Sequence, residues 1–330
     1  MQDFWSPLQS LIEELCSEFD KVWQTRKRVI NTHFLLIFIL KLVLSKNSQG
    51  YKILLNELWE KNEIANLQQN PVSASSVCEA RQKMPATIFI TLNQQILKLR
   101  EQDDPLPVWH GHRVFGVDGS KVNVPHELLL SGYLAPNKNQ YYPQGVMSTL
   151  YHLGSGLIYD ALLDASRDER ALLLEHMEHL SPGDVLVLDR GYFSYLILSK
   201  ALEKEIHLIC RMQSGDVNKE VKKFWGSSNR DKTITYKPSL STKYTSKKRG
   251  YDIELKPVQL RLIKYTINGE TYVCATTLLD ENYKTKEFAA VYHGRWGIEE
   301  LYKISKNFID VEDFHSKSEL GVKQECYAHI

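Results

Sequence analysis

Val185-Leu186-Val187-Leu188-Asp189-Arg190-Gly191-Tyr192 sets four consecutive apolar residues between the turn Pro182-Gly183 and an acid, a base and a glycine. A run so short and so uniformly apolar fits a strand buried on both faces of a sheet, which requires helices above and below it. The neighbouring sequence supplies them. Residues 169–180 read as a helix opened by the capping box Ser166 and Glu169, and about 195–204 as a second helix leading into a strand at 206–210. Upstream the period becomes strand-like over 113–117, 146–153 and 157–164, the last two joined by Gly154-Ser155-Gly156. Three strands, helix, strand, helix, strand builds a mixed α/β sheet with helices on its faces.

The flanking regions differ in kind. Residues 1–108 repeat apolar positions at spacings of three and four, as in Leu8, Leu11, Ile12, Leu15 and Phe19, and form an all-helical region. Within it Ser75 stands as an N-cap before 77–84, and the apolar run 34–44, interrupted by Lys41, is too short to cross a bilayer and reads as a buried helix. Asp103-Asp104-Pro105-Leu106-Pro107 marks a boundary before 109–330. Strands are expected at 233–236, 251–256, 258–267 and 271–277, with Asn268-Gly269 as a hairpin turn, so that 211–285 reads as a β-rich insertion. One helix is expected from 287 to about 308 and another beyond Ser316.

The chain has 330 residues, 43% hydrophobic and 25% charged, which excludes disordered and fibrous classes. Five scattered cysteines without a C-x-x-C pair suggest neither a zinc ribbon nor a secreted disulfide framework, and the expected compartment is the reducing cytoplasm. The net charge of +1 hides an asymmetry. Residues 211–265 hold 14 bases and five acids, a net +9, against −8 for the rest. A basic block on an acidic protein suits a surface that follows phosphates. Within it Lys247-Lys248-Arg249 reads equally as a DNA contact or as a solubilising hairpin tip.

Asp118 ends the strand of Val114-Phe115-Gly116-Val117-Asp118-Gly119-Ser120, and Asp189 ends the buried run. Ligands of open α/β sheets sit beyond the carboxyl ends of strands, so two acids leaving there suggest metal ions or acid–base work. Arg295, Glu299, Lys303 and Lys306 follow helical steps of four, four and three and share a face with a carboxylate among cations. Trp225 and Tyr272 are candidates to stack an extruded base, with packing the commoner role; Trp296 is expected to pack. His176 and His179 are expected on a solvated helix face.

With these residues assembled, the sequence resembles the DDE transposases of bacterial insertion sequences. The matching branch is the IS-four-like, hairpin-forming cut-and-paste one, whose last catalytic helix carries Tyr-x2-Arg-x3-Glu-x6-Lys. Tyr292, Arg295, Glu299 and Lys306 match that motif. Asp118-Gly119-Ser120, Asp189-Arg190-Gly191-Tyr192-Phe193, Arg295-Trp296-Gly297-Ile298-Glu299 and Phe314-His315-Ser316-Lys317-Ser318 look like the same family. The resemblance implies a ribonuclease-H-like core at 109–330, its β-rich insertion preceding the third acid, and a helical transposon-end DNA-binding domain at 1–108. It implies that Asp118, Asp189 and Glu299 are catalytic and bind two Mg²⁺ ions, with Mn²⁺ as a substitute, because in-line displacement at a phosphodiester needs hard cations on both attacking and leaving oxygens. Tyr292, Arg295 and Lys306 would hold the DNA backbone, with Lys303 adding a phosphate contact one turn before Lys306.

The implied partners are DNA, as transposon ends and target, and a second copy in a synaptic homodimer; no membrane and no small-molecule substrate is expected. Only 24 residues follow Lys306, and members of the resembled family usually continue further. Three readings follow. One is an endonuclease and strand-transferase active in DNA transposition and recombination; the second is a truncated, catalytically inactive regulator or relic that binds transposon ends; the third is a standalone nuclease of the same fold that hydrolyses DNA without joining ends.

Overall fold

The computed structural model describes residues 5–24, 28–45, 50–60, 71–165, 168–214, 218–308 and 312–330, with the side chains of 305–308 excepted. The capping residue Ser166 lies outside them. Among the described residues five helices come first: α1 (Trp5–Trp23), α2 (Thr32–Leu44), α3 (Tyr51–Glu60), α4 (Ala74–Arg81) and α5 (Thr87–Asp103). The apolar run is helix α2, started by Asn31, whose side chain accepts from the Phe34 amide at 2.8 Å. Being apolar all round, it lies in the middle of the helical layer. The cap of helix α4 lies two residues before the expected one, because the extended Ser73, rather than Ser75, accepts the Ser76 amide at 3.1 Å.

Among the described residues eight strands then make one sheet. In chain order the elements are β1 (Val114–Asn123), β2 (Gln144–His152), β3 (Leu157–Asp164), α6 (Glu169–His176), β4 (Val185–Leu188), α7 (Tyr195–Glu203) and β5 (His207–Arg211). Next come α8 (Lys219–Trp225), β6 (Asp231–Tyr236), α9 (Leu240–Lys248), β7 (Val258–Ile267) and β8 (Glu270–Thr276). The chain closes with α10 (Thr285–Gly294), α11 (Trp296–Phe308) and α12 (Glu319–Ala328). The strand order is β3-β2-β1-β4-β5-β8-β7-β6. β1, β2 and β3 form an antiparallel meander, and β4 and β5 run parallel to β1, which is the ribonuclease-H-like arrangement.

The insertion does not form a separate β unit. β8 pairs antiparallel with β5, so β8, β7 and β6 extend the main sheet. Asn268-Gly269 makes the expected hairpin turn with both residues at positive φ, 51° and 82°. The strand expected at 251–256 is absent. Residues 251–256 instead form an irregular segment after helix α9, its backbone held by a side chain instead of a ladder: the Tyr195 hydroxyl accepts from the Lys256 amide at 2.8 Å and lies 2.9 Å from the Lys256 carbonyl.

Strand alternation sorts the core. Phe115, Val117, Leu186 and Leu188 pack toward α6 and α7, whereas Val114, Val185 and Val187 pack toward α10. The helices α1–α5 share one core with Val122, Met147, Ala161 and Leu163 of the sheet and with Val322, Cys326 and Tyr327 of α12. Among the described residues no helix is long and apolar enough to cross a membrane.

Two histidines are placed by burial. His176 does not face solvent as expected: α6 presses it onto the sheet, where Nδ1 lies 2.7 Å from Asp160 Oδ2 and Nε2 3.0 Å from Ser148 Oγ, all three residues being buried. The carboxylate of Asp160 needs a buried partner, and His176 supplies it. His152 accepts the Ser155 amide on Nδ1 at 3.1 Å, and its buried Nε2 has no partner among the described residues. Burial pushes its pKa down to about 4 from 6.5. Between those values the unfolded chain binds the extra proton, so stability is complete above pH 6.5 and falls as the pH drops toward 4. A loss of up to about 3 kcal/mol is expected over that window. Urea unfolding at pH 7.5 and 4.5 measures it, and His152→Leu should flatten this part of the slope; an unchanged slope refutes the assignment.

Candidate active site

Parallel pairing brings the first two acids level. Gly116 of β1 lies opposite Val187 of β4, and two residues further along each chain stand Asp118 and Asp189. By alternation both side chains belong to the face covered by α10 and α11. The glycine at 116 permits that cover: a Cβ there would meet Ile298 Cδ1 at 2.8 Å and Arg295 Cγ at 3.5 Å.

The third acid arrives on α11. The single helix expected at 287–308 is two helices meeting at Arg295, whose backbone stays right-handed helical, so Arg295 still precedes Glu299 by one turn. Arg295 is buried, 5% exposed. Its Nη1 donates to Asp118 Oδ2 at 3.1 Å and its Nη2 to Glu299 Oε1 at 2.8 Å. Its Nε is buried without a partner among the described residues. Tyr292 at the end of α10 donates its hydroxyl to Asp189 Oδ1 at 2.9 Å. Tyr292 and Arg295 therefore connect all three acids.

Burial pushes the Asp118 carboxyl up from the ordinary carboxylate range, and the Arg295 charge only partly offsets this. Burial also opposes the charge of Arg295, but Tyr292 and the facing acids outweigh it and raise its pKa. The Tyr292 hydroxyl is pushed up by burial and by Asp189.

Sequence reasoning missed several neighbours. Tyr302, one turn past Glu299, is buried with its hydroxyl 2.8 Å from the Asp118 carbonyl and 2.9 Å from both the Met147 carbonyl and Thr149 Oγ1. It fastens α11 to β1 and β2 beneath the acid. Arg211, at the end of β5, places Nη1 4.0 Å from Asp189 Oδ1 and lies over the Tyr272 ring. It had figured only in the charge count; its position as the last residue of a strand beside β4 was the available signal. Glu169 packs against Gly119, where a Cβ would lie 3.1 Å from its carboxyl carbon.

Of the cations singled out, Lys303 pairs with Glu300 at 2.6 Å and both are exposed, while the side chain of Lys306 lies outside the described residues. Lys247, Lys248 and Arg249 close helix α9 rather than a hairpin, and Arg249 reaches Asp168, next to Glu169, at 2.9 Å. The end of α9 thus lies with α6 and α7, on the face of the sheet opposite the one to which the acids belong. Trp296 is 47% exposed, contrary to the packing role expected of it, and leans on His293 at a ring separation of 4.4 Å. Tyr272 is stacked on Tyr265, and Trp225 is half-buried at the end of α8.

Among the described residues no three acidic, histidine or cysteine side chains converge as a ready-made metal cluster. The donor set nevertheless suits a hard divalent cation: carboxylate oxygens from three elements, two of them already sharing one cation, the Arg295 guanidinium.

Residues 109–330 match the family described as "Transposase DDE domain". Among solved structures, the cryo-EM structure of a piggyBac transposase synaptic complex with hairpin DNA is similar to this chain at a TM-score of 0.43 and 10% identity, covering 99% of this chain and 73% of that one. No curated protein sequence matches the chain.

Proposed function

The chain belongs to the transposase DDE-domain family, and from that premise we propose that it catalyses metal-dependent cleavage and strand transfer at the ends of an insertion sequence, by the cut-and-paste route of the IS-four-like branch. The observation that carries this reading is the linkage of Asp118, Asp189 and Glu299 through Tyr292 and Arg295 on one face of the sheet. Asp118, Asp189 and Glu299 are the catalytic acids and would hold two Mg²⁺ ions, or Mn²⁺ in their place. Bound there, the ions would supply Lewis acidity for in-line displacement at a phosphodiester.

The protein's own residues do the rest. Tyr292 and Arg295 orient the carboxylates and, with Lys303 and Lys306, offer donors to the DNA backbone near the scissile phosphate. The basic end of α9, Lys247-Lys248-Arg249, would add a separate phosphate contact from the α6–α7 side of the sheet. Residues 1–108 act as the reader of transposon ends, and two copies assemble on a pair of ends. Purified full chain, a duplex bearing the sequences that flank its gene, and Mg²⁺ or Mn²⁺ test the reading. Cleavage by the wild type, and its loss in Glu299→Gln with DNA binding retained, is the expected result. Metal-dependent cleavage that survives in Glu299→Gln refutes it.

A further inference from the structure

Arg295 occupies the position between Asp118 and Glu299 that an added cation would have to share. Its two terminal nitrogens are spent on those carboxylates, 3.1 and 2.8 Å away. The guanidinium is buried, whereas the Glu299 side chain at the outer end of the bridge is 46% exposed. A divalent ion entering beside a buried guanidinium meets like charge in a poorly screening environment. The arginine must yield before both acids can turn to an ion. The bridge is also imperfect, since Nε is a buried donor with no acceptor among the described residues, and an anion able to engage it would improve its hydrogen bonding. A phosphate oxygen is such an acceptor, and the fork of an arginine suits it.

Resting on the reading of these acids as the metal site, we propose that Arg295 is an internal counter-ion that keeps Asp118 and Glu299 closed to divalent cations until a DNA phosphate draws the guanidinium away. Metal and DNA then bind cooperatively, and by reciprocity each tightens the other by the same factor. The Tyr292 ring, whose centroid lies 5.7 Å from the guanidinium carbon, keeps the displaced arginine beside the site. A protein free of DNA is thereby kept from assembling a loaded nuclease site.

The test is Mn²⁺ binding by the full chain, read from the paramagnetic resonance of the free ion, with and without a short mixed-sequence DNA duplex. Wild type is expected to bind Mn²⁺ roughly tenfold more tightly with the duplex. Arg295→Gln is expected to bind it about tenfold more tightly than wild type without DNA, and to gain little more when the duplex is added. Asp118→Asn should lose the site in either background. If Arg295→Gln does not fold, Arg295→Lys, which keeps the charge but reaches one carboxylate, should lie between the two. Mn²⁺ affinity in the arginine variants equal to or weaker than wild type, or no gain from the duplex in wild type, overturns the counter-ion role. With Mn²⁺ binding still lost in Asp118→Asn, such a result leaves the metal site standing. Absence of Mn²⁺ binding in every form overturns both.

Discussion

Asp118→Asn is expected to cut strand cleavage by about a thousandfold or more while leaving the fold and DNA binding in place. Asn keeps the shape of the side chain and an oxygen that can still accept from Arg295 Nη1, the bond seen at 3.1 Å. It removes the charge that a hard cation needs from one of three carboxylates, and several kcal/mol of transition-state stabilisation correspond to that loss of rate at about 1.4 kcal/mol per factor of ten. The strand itself is secured elsewhere. Tyr302 holds the Asp118 carbonyl, and β1 is paired on both sides, to β2 and to β4. Thermal melting should therefore shift little, and salt-dependent DNA binding in a gel shift should persist because it rests on phosphate contacts. Gel analysis of end cleavage in Mg²⁺ and in Mn²⁺ is the deciding measurement. Cleavage within about tenfold of wild type would remove Asp118 from the catalytic set.

The acids were legible because their local sequence is strongly constrained. Val185-Leu186-Val187-Leu188 has one apolar reading, a strand covered on both faces, and its carboxyl end places Asp189 beside Tyr292 and Arg211. Asn268-Gly269 has one favoured geometry, and the structure adopts it. What stayed hidden depends on distant partners. Helix α9, Leu240–Lys248, presents no apolar stripe: Leu240 and Tyr244 are exposed and Ser246 is its buried residue, so periodicity gave no sign of a helix. Trp296 is expected to pack because its helix must bury a face, yet α11 turns Ile298 and Tyr302 to the sheet and leaves the indole outside. His176 is charged or polar by type and was assigned to solvent, but only the fold shows Asp160 and Ser148 waiting beneath it. Arg295 and Glu299 were paired by spacing alone; that Arg295 also takes Asp118, 177 residues earlier, is a property of the assembled sheet and helix.

The most distant of these hidden pairs carries the second large effect. Arg81 of α4 and Glu325 of α12 are 3% and 1% exposed, and Arg81 Nη2 donates to Glu325 Oε1 at 2.7 Å. The remaining donors of Arg81 reach Gln324 Oε1, the Gly321 carbonyl and the Tyr51 hydroxyl, while Gln324 returns its amide to the Arg81 and Met84 carbonyls. Glu325 accepts the His315 amide on its other oxygen at 2.8 Å. Burial opposes the charge of Glu325, but His315 and Arg81 together hold its carboxyl below the ordinary range. Glu325→Leu strands a guanidinium among the helices and is expected to cost about 3–5 kcal/mol, as is Arg81→Met, which strands the carboxylate. The double variant should recover a large part of that loss, because an apolar pair of similar volume removes both desolvation penalties. Urea unfolding of the four proteins closes the cycle. If each single change costs less than about 1 kcal/mol, or the double change costs their sum, the pair is not coupled and α12 is held by its other contacts, with α2, α5 and β3 and through Gln324. A coupled result ties the last helix of the chain to the fourth, so that loss of residues 319–328 would strip the core of α1–α5 of Val322, Cys326 and Tyr327 together with this charge pair.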